Sequence, residues 1–262
     1  MKIGKLILLL FSLFYLAACA VLNTSNLDSA RTLEKDRYGW MLAYSNAIDM
    51  NRMVYTPYED NEIFNGVHAQ DDPMMHLRFS KGMSEATELQ LSAAFPFSFM
   101  AKVAIKRRLS AEDQKVMLAV KPAVSFSRGS KPMWINFPDD DVEDIEDWTY
   151  TNLSGEISLL ITLDHELLIN IPKAIEDSPR ISITLVPKLI YSNLLYIRAT
   201  DEDPVDSGTY RSFIPALAIT PELRWRNLVL RPEIAGSLVR VKEGKTTLLG
   251  SFNCSAGVEF GQ

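Results

Sequence analysis

The sequence predicts an all-β fold: an antiparallel, up-and-down transmembrane β-barrel of about ten strands, within roughly 8 to 12. Three observations predict it. Apolar and polar residues alternate with a period of two in about ten segments of about ten residues, the length a tilted strand needs to cross a bilayer. The polar faces carry both signs of charge along whole strands, such as Glu88 with Lys102, Lys106 and Lys121, and Glu222, Arg224, Arg231 and Glu233. A barrel built to bind an apolar ligand would instead have an apolar interior. The aromatic residues of the apolar faces gather at strand ends, Tyr38, Trp40, Phe79, Trp225 and Phe260 at one rim and Tyr44, Phe95, Phe97, Phe126 and Phe213 at the other. Interfacial girdles have that arrangement.

In Tyr38 to Ile48, Trp40, Leu42 and Tyr44 alternate with Gly39, Met41, Ala43 and Ser45. Met75, Leu77 and Phe79 then alternate with His76, Arg78 and Ser80, and Leu89, Leu91 and Ala93 with Glu88, Gln90 and Ser92. A reversal at Phe95-Pro96-Phe97 leads into Phe99, Ala101, Val103 and Ile105, set against Lys102, Lys106 and Arg108. Val116, Leu118, Val120, Val124 and Phe126 follow against Lys115, Lys121 and Ser125. In the second half, Ile157 to Leu163 and Ile181 to Leu189 repeat the pattern, and so does Phe213 to Trp225, which places Leu217 toward lipid and Ala218 in the lumen. Leu228 to Ser237 and Thr247 to Phe260 close the chain. A two-residue turn at Arg226-Asn227 makes Trp225 and Leu228 partners on one face, and both are apolar. Residues 164–179 break the alternation, with room for a short helix, and residues 193–210 fit either a longer strand or an extra one.

Three long polar loops, near 49–72, 127–152 and 201–210, fall on the side opposite the start of the first strand, as the outer loops of such barrels do. Against the barrel stand Pro122, Pro187, Pro215, Pro221 and Pro232, all inside strand segments. Each removes a ladder hydrogen bond, and a closed barrel has no free edge, so several bulges are expected.

The first residues form a secretory leader: Lys2 and Lys5, an apolar run from Ile7 to Tyr15, and a small-residue cleavage site. The site reads Leu16-Ala17-Ala18-Cys19, which resembles the lipobox of bacterial lipoproteins. The resemblance implies diacylglyceryl transfer to the Cys19 thiol, cleavage before it and acylation of the new amino terminus. Ala20 stands where an aspartate would mark inner-membrane retention, so the resemblance also implies the outer membrane. Residues 1–18 are thus a lipoprotein signal peptide, 19–36 a lipidated tether leading to the first strand, and 37–262 a single β-barrel domain. Of the two cysteines, Cys19 is committed to lipid, which leaves Cys254 on an apolar face without a disulfide partner. The net charge of −6 becomes more negative once Lys2 and Lys5 leave with the leader, which excludes nucleic acid as a natural partner. No later run approaches the roughly 20 apolar residues of a membrane helix.

Ser29-Ala30-Arg31-Thr32-Leu33-Glu34-Lys35, followed by an aromatic-rich strand, resembles a group of poorly characterised lipid-anchored outer-membrane barrels of Gram-negative bacteria. So does the hairpin Leu77-Arg78-Phe79-Ser80-Lys81-Gly82-Met83-Ser84 leading to Thr87-Glu88-Leu89-Gln90-Leu91. In this chain Glu34-Lys35-Asp36 stands where a Pro-Gly or Lys-Gly turn would be commoner. The resemblance carries no catalytic residues across, and no cofactor is expected.

Candidate chemistry is sparse. His76 and Glu88 point into the lumen, where a hydrolytic or acyl-transfer site could use them, although no Gly-x-Ser-x-Gly motif accompanies them. His68 and His165 lack metal-ligand spacing. The acidic run Asp139, Asp140, Asp141, Glu143 and Asp144 offers carboxylates for a divalent cation without an EF-hand glycine, and reads first as a solvated outer loop. Three functions compete. The leading one is a non-enzymatic, lipid-anchored outer-membrane barrel with a structural or narrow transport role. Its partners would be membrane lipid, through acylated Cys19 and the barrel surface, and the envelope-assembly machinery. A lipid-tethered periplasmic β-domain binding a small ligand or an envelope protein is the second, and a lipid-modifying membrane enzyme the third.

Overall fold

A computed structural model of the chain describes residues 21–22, 25–49, 67–69, 72–95, 99–111, 114–135, 144–164, 179–199, 204–240 and 246–261. These hold β1 (Val21–Leu22), β2 (Tyr38–Asp49), β3 (Val67–Ala69), β4 (Asp72–Ser84), β5 (Thr87–Phe95) and β6 (Phe99–Arg108). The second half holds β7 (Val116–Ile135), β8 (Asp144–Asp164), β9 (Arg180–Ala199), β10 (Pro204–Trp225), β11 (Leu228–Arg240) and β12 (Thr246–Phe260). The ten long strands, β2 and β4 to β12, pair antiparallel in sequence order, and β12 pairs back on β2. That last pairing closes the sheet into an up-and-down barrel. Alternation along the strands aims one set of side chains outward and the other into the lumen. Leu217 is 49% exposed and its neighbour Ala218 only 3%.

The exterior is that of a transmembrane barrel. Leu42, Leu91, Val103, Ile157, Ile219, Leu230, Ile234 and Phe252 all lie exposed on it. At the mouth where β2 starts, Tyr38 stacks on Phe79 and Phe260 at 5.9 and 6.2 Å, and Trp40 meets Phe79 at 5.1 Å. Nearer the far mouth, Tyr191 meets Phe213 at 5.1 Å and Phe99 meets Phe126 at 6.4 Å. Trp225 and Leu228 are partners across the turn, and Arg226 takes a left-handed φ of 53° there.

Strand length departs from expectation. β7 to β10 run for 20, 21, 20 and 22 residues, about twice what a crossing needs. The expected loops at 127–152 and 201–210 are therefore largely strand: 127–135 ends β7, 144–152 begins β8 and 204–210 begins β10. Polar outward residues beyond the membrane misled the reading, since a strand can continue in water as long as its neighbours do. Leu194 to Ala199 extend β9. The stretch 165–178 lies outside the described residues.

Pro122, Pro187, Pro215, Pro221 and Pro232 need no bulges. A strand residue directs its N–H to one neighbour only, so a proline breaks one ladder and leaves the other intact. Pairing of β6 with β7 skips from Ala104↔Ala123 to Arg107↔Val120 around Pro122, while Pro122 stays in register with Ile157 of β8. Around Pro187 the β8–β9 ladder skips in the same way, and Pro187 remains opposite Leu217. Pro221 and Pro232 face each other across β10 and β11, in a gap between Ile219↔Ile234 and Leu223↔Leu230, so two missing donors cost one rung. Pro215 lies just past Ala216↔Ser237, where that ladder ends. Register shifts occur elsewhere, at Gly82/Ser84 and Pro204/Asp206.

Candidate functional site in the lumen

Residues 25–33 do not hang outside the barrel as a tether. They run down the lumen toward the β2 mouth, with Ser25 to Ala30 and Leu33 all buried. The barrel wall and this segment are matched chemically. Lys106 and Lys121 fall opposite each other in the gap of the β6–β7 ladder, an arrangement that repels unless an anion enters. Asp28, 1% exposed, supplies it, with its carboxylate 3.0 Å from Lys106 Nζ, 3.3 Å from Lys121 Nζ and 3.6 Å from Arg78 Nη1. Gln90 Nε2 donates to the same carboxylate at 2.7 Å, and the Ser29 amide at 3.0 Å.

The backbone of the segment is held as firmly as its charge. Glu233 of β11 accepts from the amides of Asn26 and Leu27, at 3.0 and 2.6 Å, and also from Thr220 Oγ1 and Asn253 Nδ2. Arg78 Nη2 donates to the Leu27 carbonyl at 2.8 Å, so both polar groups of that peptide are engaged. Leu27 sits at φ 45°, costly for a bulky residue, and this clamp holds it there. The Ala30 amide donates to Thr162 Oγ1 at 2.8 Å, and the Leu33 amide to Glu88 Oε2 at 3.0 Å. Lys188 Nζ donates to the Ser25 carbonyl, and Arg31 pairs with Asp164 at 2.7 Å.

Small inward residues make the room. Ala30 packs among Met117, Ala119, Leu160, Val186, Ala218 and Ala235, a pocket that a single methyl fills. At the exit, a Cβ on Gly82 would stand 1.8 Å from the Glu34 carbonyl oxygen, so only glycine lets the chain pass. Gly82 there accepts from the Asp36 amide at 3.0 Å and donates to the Arg37 carbonyl at 2.9 Å. Asp36 takes φ 63° in the turn at Glu34-Lys35-Asp36, a conformation that aspartate tolerates. Toward the far mouth the lumen turns apolar: Tyr150, Ile190, Leu194, Tyr196, Ile214, Val239 and Leu249 form one cluster. Two gaps of about 30 and 40 Å³ flank the segment, room for a few waters each.

Among the residues singled out from sequence, Glu88 is part of this network: it pairs with Lys106 at 3.0 Å and accepts from Gln90 and Leu33. His76 also faces inward, and its Nε2 hydrogen-bonds Ser45 Oγ. The two do not meet across the hairpin. His76 pairs with Ala94 and Glu88 with Gly82, six residues or about 20 Å apart along β4. Cys19, Asp139, Asp140, Asp141 and Glu143 lie outside the described residues, as does His165; Asp144 pairs with Ile135, and His68 lies in β3. Among the described residues no cluster of metal-ligating side chains occurs. Cys254 is a free, half-buried thiol on the outward face of β12. The sequence places Glu233 on a polar face without a role and misses Asp28, to which one signal did point: two lysines at opposed positions of adjacent strands call for an acid from elsewhere.

These features define a closed, ten-stranded transmembrane β-barrel filled by its own amino-terminal segment. No protein-family model matches the chain, and no curated protein matches it. Among solved structures it is similar to the translocator domain of autotransporter NalP from Neisseria meningitidis, at 10% identity and a TM-score of 0.44, over 88% of this chain and 90% of that one. It is also similar to OmpT, in-vitro folded, an outer membrane protein of Vibrio cholerae, at 10% identity and a TM-score of 0.17, over 86% and 97%. At these scores neither likeness adds to the barrel that the strand pairing itself shows.

Proposed function

We propose that the chain is a lipid-anchored outer-membrane barrel with a closed lumen and a structural, non-enzymatic role. The occupied lumen carries this reading. Residues 25–33 fill the charged half, and side chains such as Leu194 and Ile214 fill part of the other, which favours a structural role over transport. The outward apolar face and aromatic rims support a membrane location, and the lipobox at Cys19 supports the anchor. Assembly then needs the envelope machinery that inserts barrels and acylates lipoproteins. The two-residue turns at Glu85–Ala86 and Arg226–Asn227 lie at the β2 mouth, which supports reading it as the periplasmic side, since such barrels keep short turns there.

Reconstitution in planar bilayers tests the closed lumen: the refolded protein should give no steady conductance, and a stable open current would refute it. Metabolic labelling with a radioactive fatty acid tests the anchor, which Cys19→Ser should abolish. A lipid-modifying enzyme is the second reading, favoured by the Ser45–His76 hydrogen bond, a nucleophile beside a base. Its mark would be transfer or hydrolysis of a phospholipid acyl chain that His76→Ala removes.

A further inference from the structure

The charges of the lumen do not balance everywhere. Arg224 and Arg231 match Glu222 and Glu259, and Arg31 matches Asp164. On the side of β4 to β9 the described residues place Arg78, Lys102, Lys106, Lys121 and Lys188 against the carboxylates of Asp28, Glu88 and Glu156. Glu233 supplies one more carboxylate, already engaged by the amides of Asn26 and Leu27. Even with Glu233 counted, a cation is in excess there. In a membrane-embedded interior an unmatched charge is costly.

A gap lies beside that excess. About 40 Å³ in volume, it opens where Ala43 and Ala104 present small side chains beside residues 25–27. Arg78, Lys102 and Lys121 line it, and no carboxylate does. Asn26 lines it from the segment. That side chain is deeply buried, and neither its Nδ2 nor its Oδ1 has a hydrogen-bond partner among the described residues. A buried amide without partners forfeits the hydration it had in water, and a group in the gap would restore the lost bond.

We infer that this gap binds one monovalent inorganic anion, chloride or an ion like it, between the Asn26 side-chain amide and the cationic groups of Lys102, Lys121 and Arg78. The anion supplies the missing charge and the missing partner together. Water would satisfy the amide but leave the excess cation unmatched. The lining repels a metal cation, and a bulky organic anion exceeds the volume. Asn26 belongs to the threaded segment, whereas the three cations belong to β4, β6 and β7, so the ion bridges segment and wall. Its binding is therefore linked to the docking of residues 25–28. The site stands whether or not Cys19 carries lipid.

Hydrogen exchange of the refolded barrel in detergent micelles tests this, in sodium chloride against sodium gluconate at equal ionic strength. The backbone amides of Asn26 and Leu27 should be better protected in chloride, and the effect should saturate. Release of one ion on opening slows exchange about 10-fold when chloride is about ten times its dissociation constant. Asn26→Asp fixes a carboxylate in the gap, so exchange at Leu27 should become alike in the two salts. Where that variant does not assemble, Lys102→Met removes the excess cation, leaves Glu156 with Lys188, and should abolish the chloride effect. Wild-type exchange equal within a factor of two in both salts overturns the proposal, because water alone then fills the gap. Protection that never saturates, or that survives in the variant, overturns it too, because salt then acts on the barrel at large.

Discussion

Asp28→Asn should loosen the segment inside the lumen. The substitution keeps size and acceptor oxygen but removes the charge that Lys106, Lys121 and Arg78 share at 3.0, 3.3 and 3.6 Å. Lys106 retains Glu88 at 3.0 Å, whereas Lys121 loses its direct ion-pair partner and faces Lys106 across the gap. Removing one member of a buried charge network costs about 3–5 kcal/mol, most of it for the charge left behind. Loosening in place caps that cost, because water can then reach the lysines, so the loss appears as local opening of the threaded residues 25–33 and not as unfolding of the barrel. At about 1.4 kcal/mol per decade, 3 kcal/mol shifts docking at least about 100-fold. Hydrogen exchange of the barrel in detergent micelles reads this directly. The amides of Asn26, Leu27, Ala30 and Leu33, all bonded to the wall, should exchange about 100-fold faster while the strands stay protected. Adding Lys121→Met removes the orphaned charge and should restore part of the protection. Exchange unchanged within a factor of two in Asp28→Asn would refute the view that charge locks the segment in place.

Leu217→Arg places a cation on the lipid face and should cost roughly 2–4 kcal/mol in urea unfolding from lipid vesicles, whereas Ala218→Ser next to it should be almost silent. Arginine at Ala218 would not serve as the control the alternation suggests, because Ala218 packs in the cluster that receives Ala30. Ala30→Leu should overfill that pocket and lower stability by about 1–3 kcal/mol, measured the same way. Gly82→Ala should push Glu34 off β4 and raise exchange at the amides of Asp36 and position 82.

The barrel was legible because its signal is local. Each strand declares two faces in its own residues, so Leu217 outward and Ala218 inward follow from alternation alone, and Trp225 with Leu228 follows from a turn length. Strand ends past the membrane were not legible, because β7 to β10 are held there by their neighbours and not by composition. The lumen site was half legible. Glu88, Lys106 and Lys121 could be placed on one inner face, but their partner Asp28 is 78 positions from Lys106, in a stretch with no periodicity. Its polar, mixed composition suits a solvated linker and a segment lodged in a polar lumen equally. Only the opposed lysines distinguish the two.

The filled lumen fixes an order of assembly. A segment bonded to the wall on several sides cannot be slipped into a finished cylinder past the apolar layer at one end and the Gly82 constriction at the other. The cylinder has to be wound around it. Asp28 and Leu33 find their partners Glu88, Gln90, Lys106 and Lys121 on β5 to β7, available once the first half of the chain is laid down. Asn26 and Leu27 wait for Glu233 on β11, and Glu233 for Asn253 on β12. The segment thus serves as a mandrel, gripped first by the early strands, and the joint of β12 on β2, from Tyr38↔Phe260 to Tyr44↔Cys254, is the last to shut.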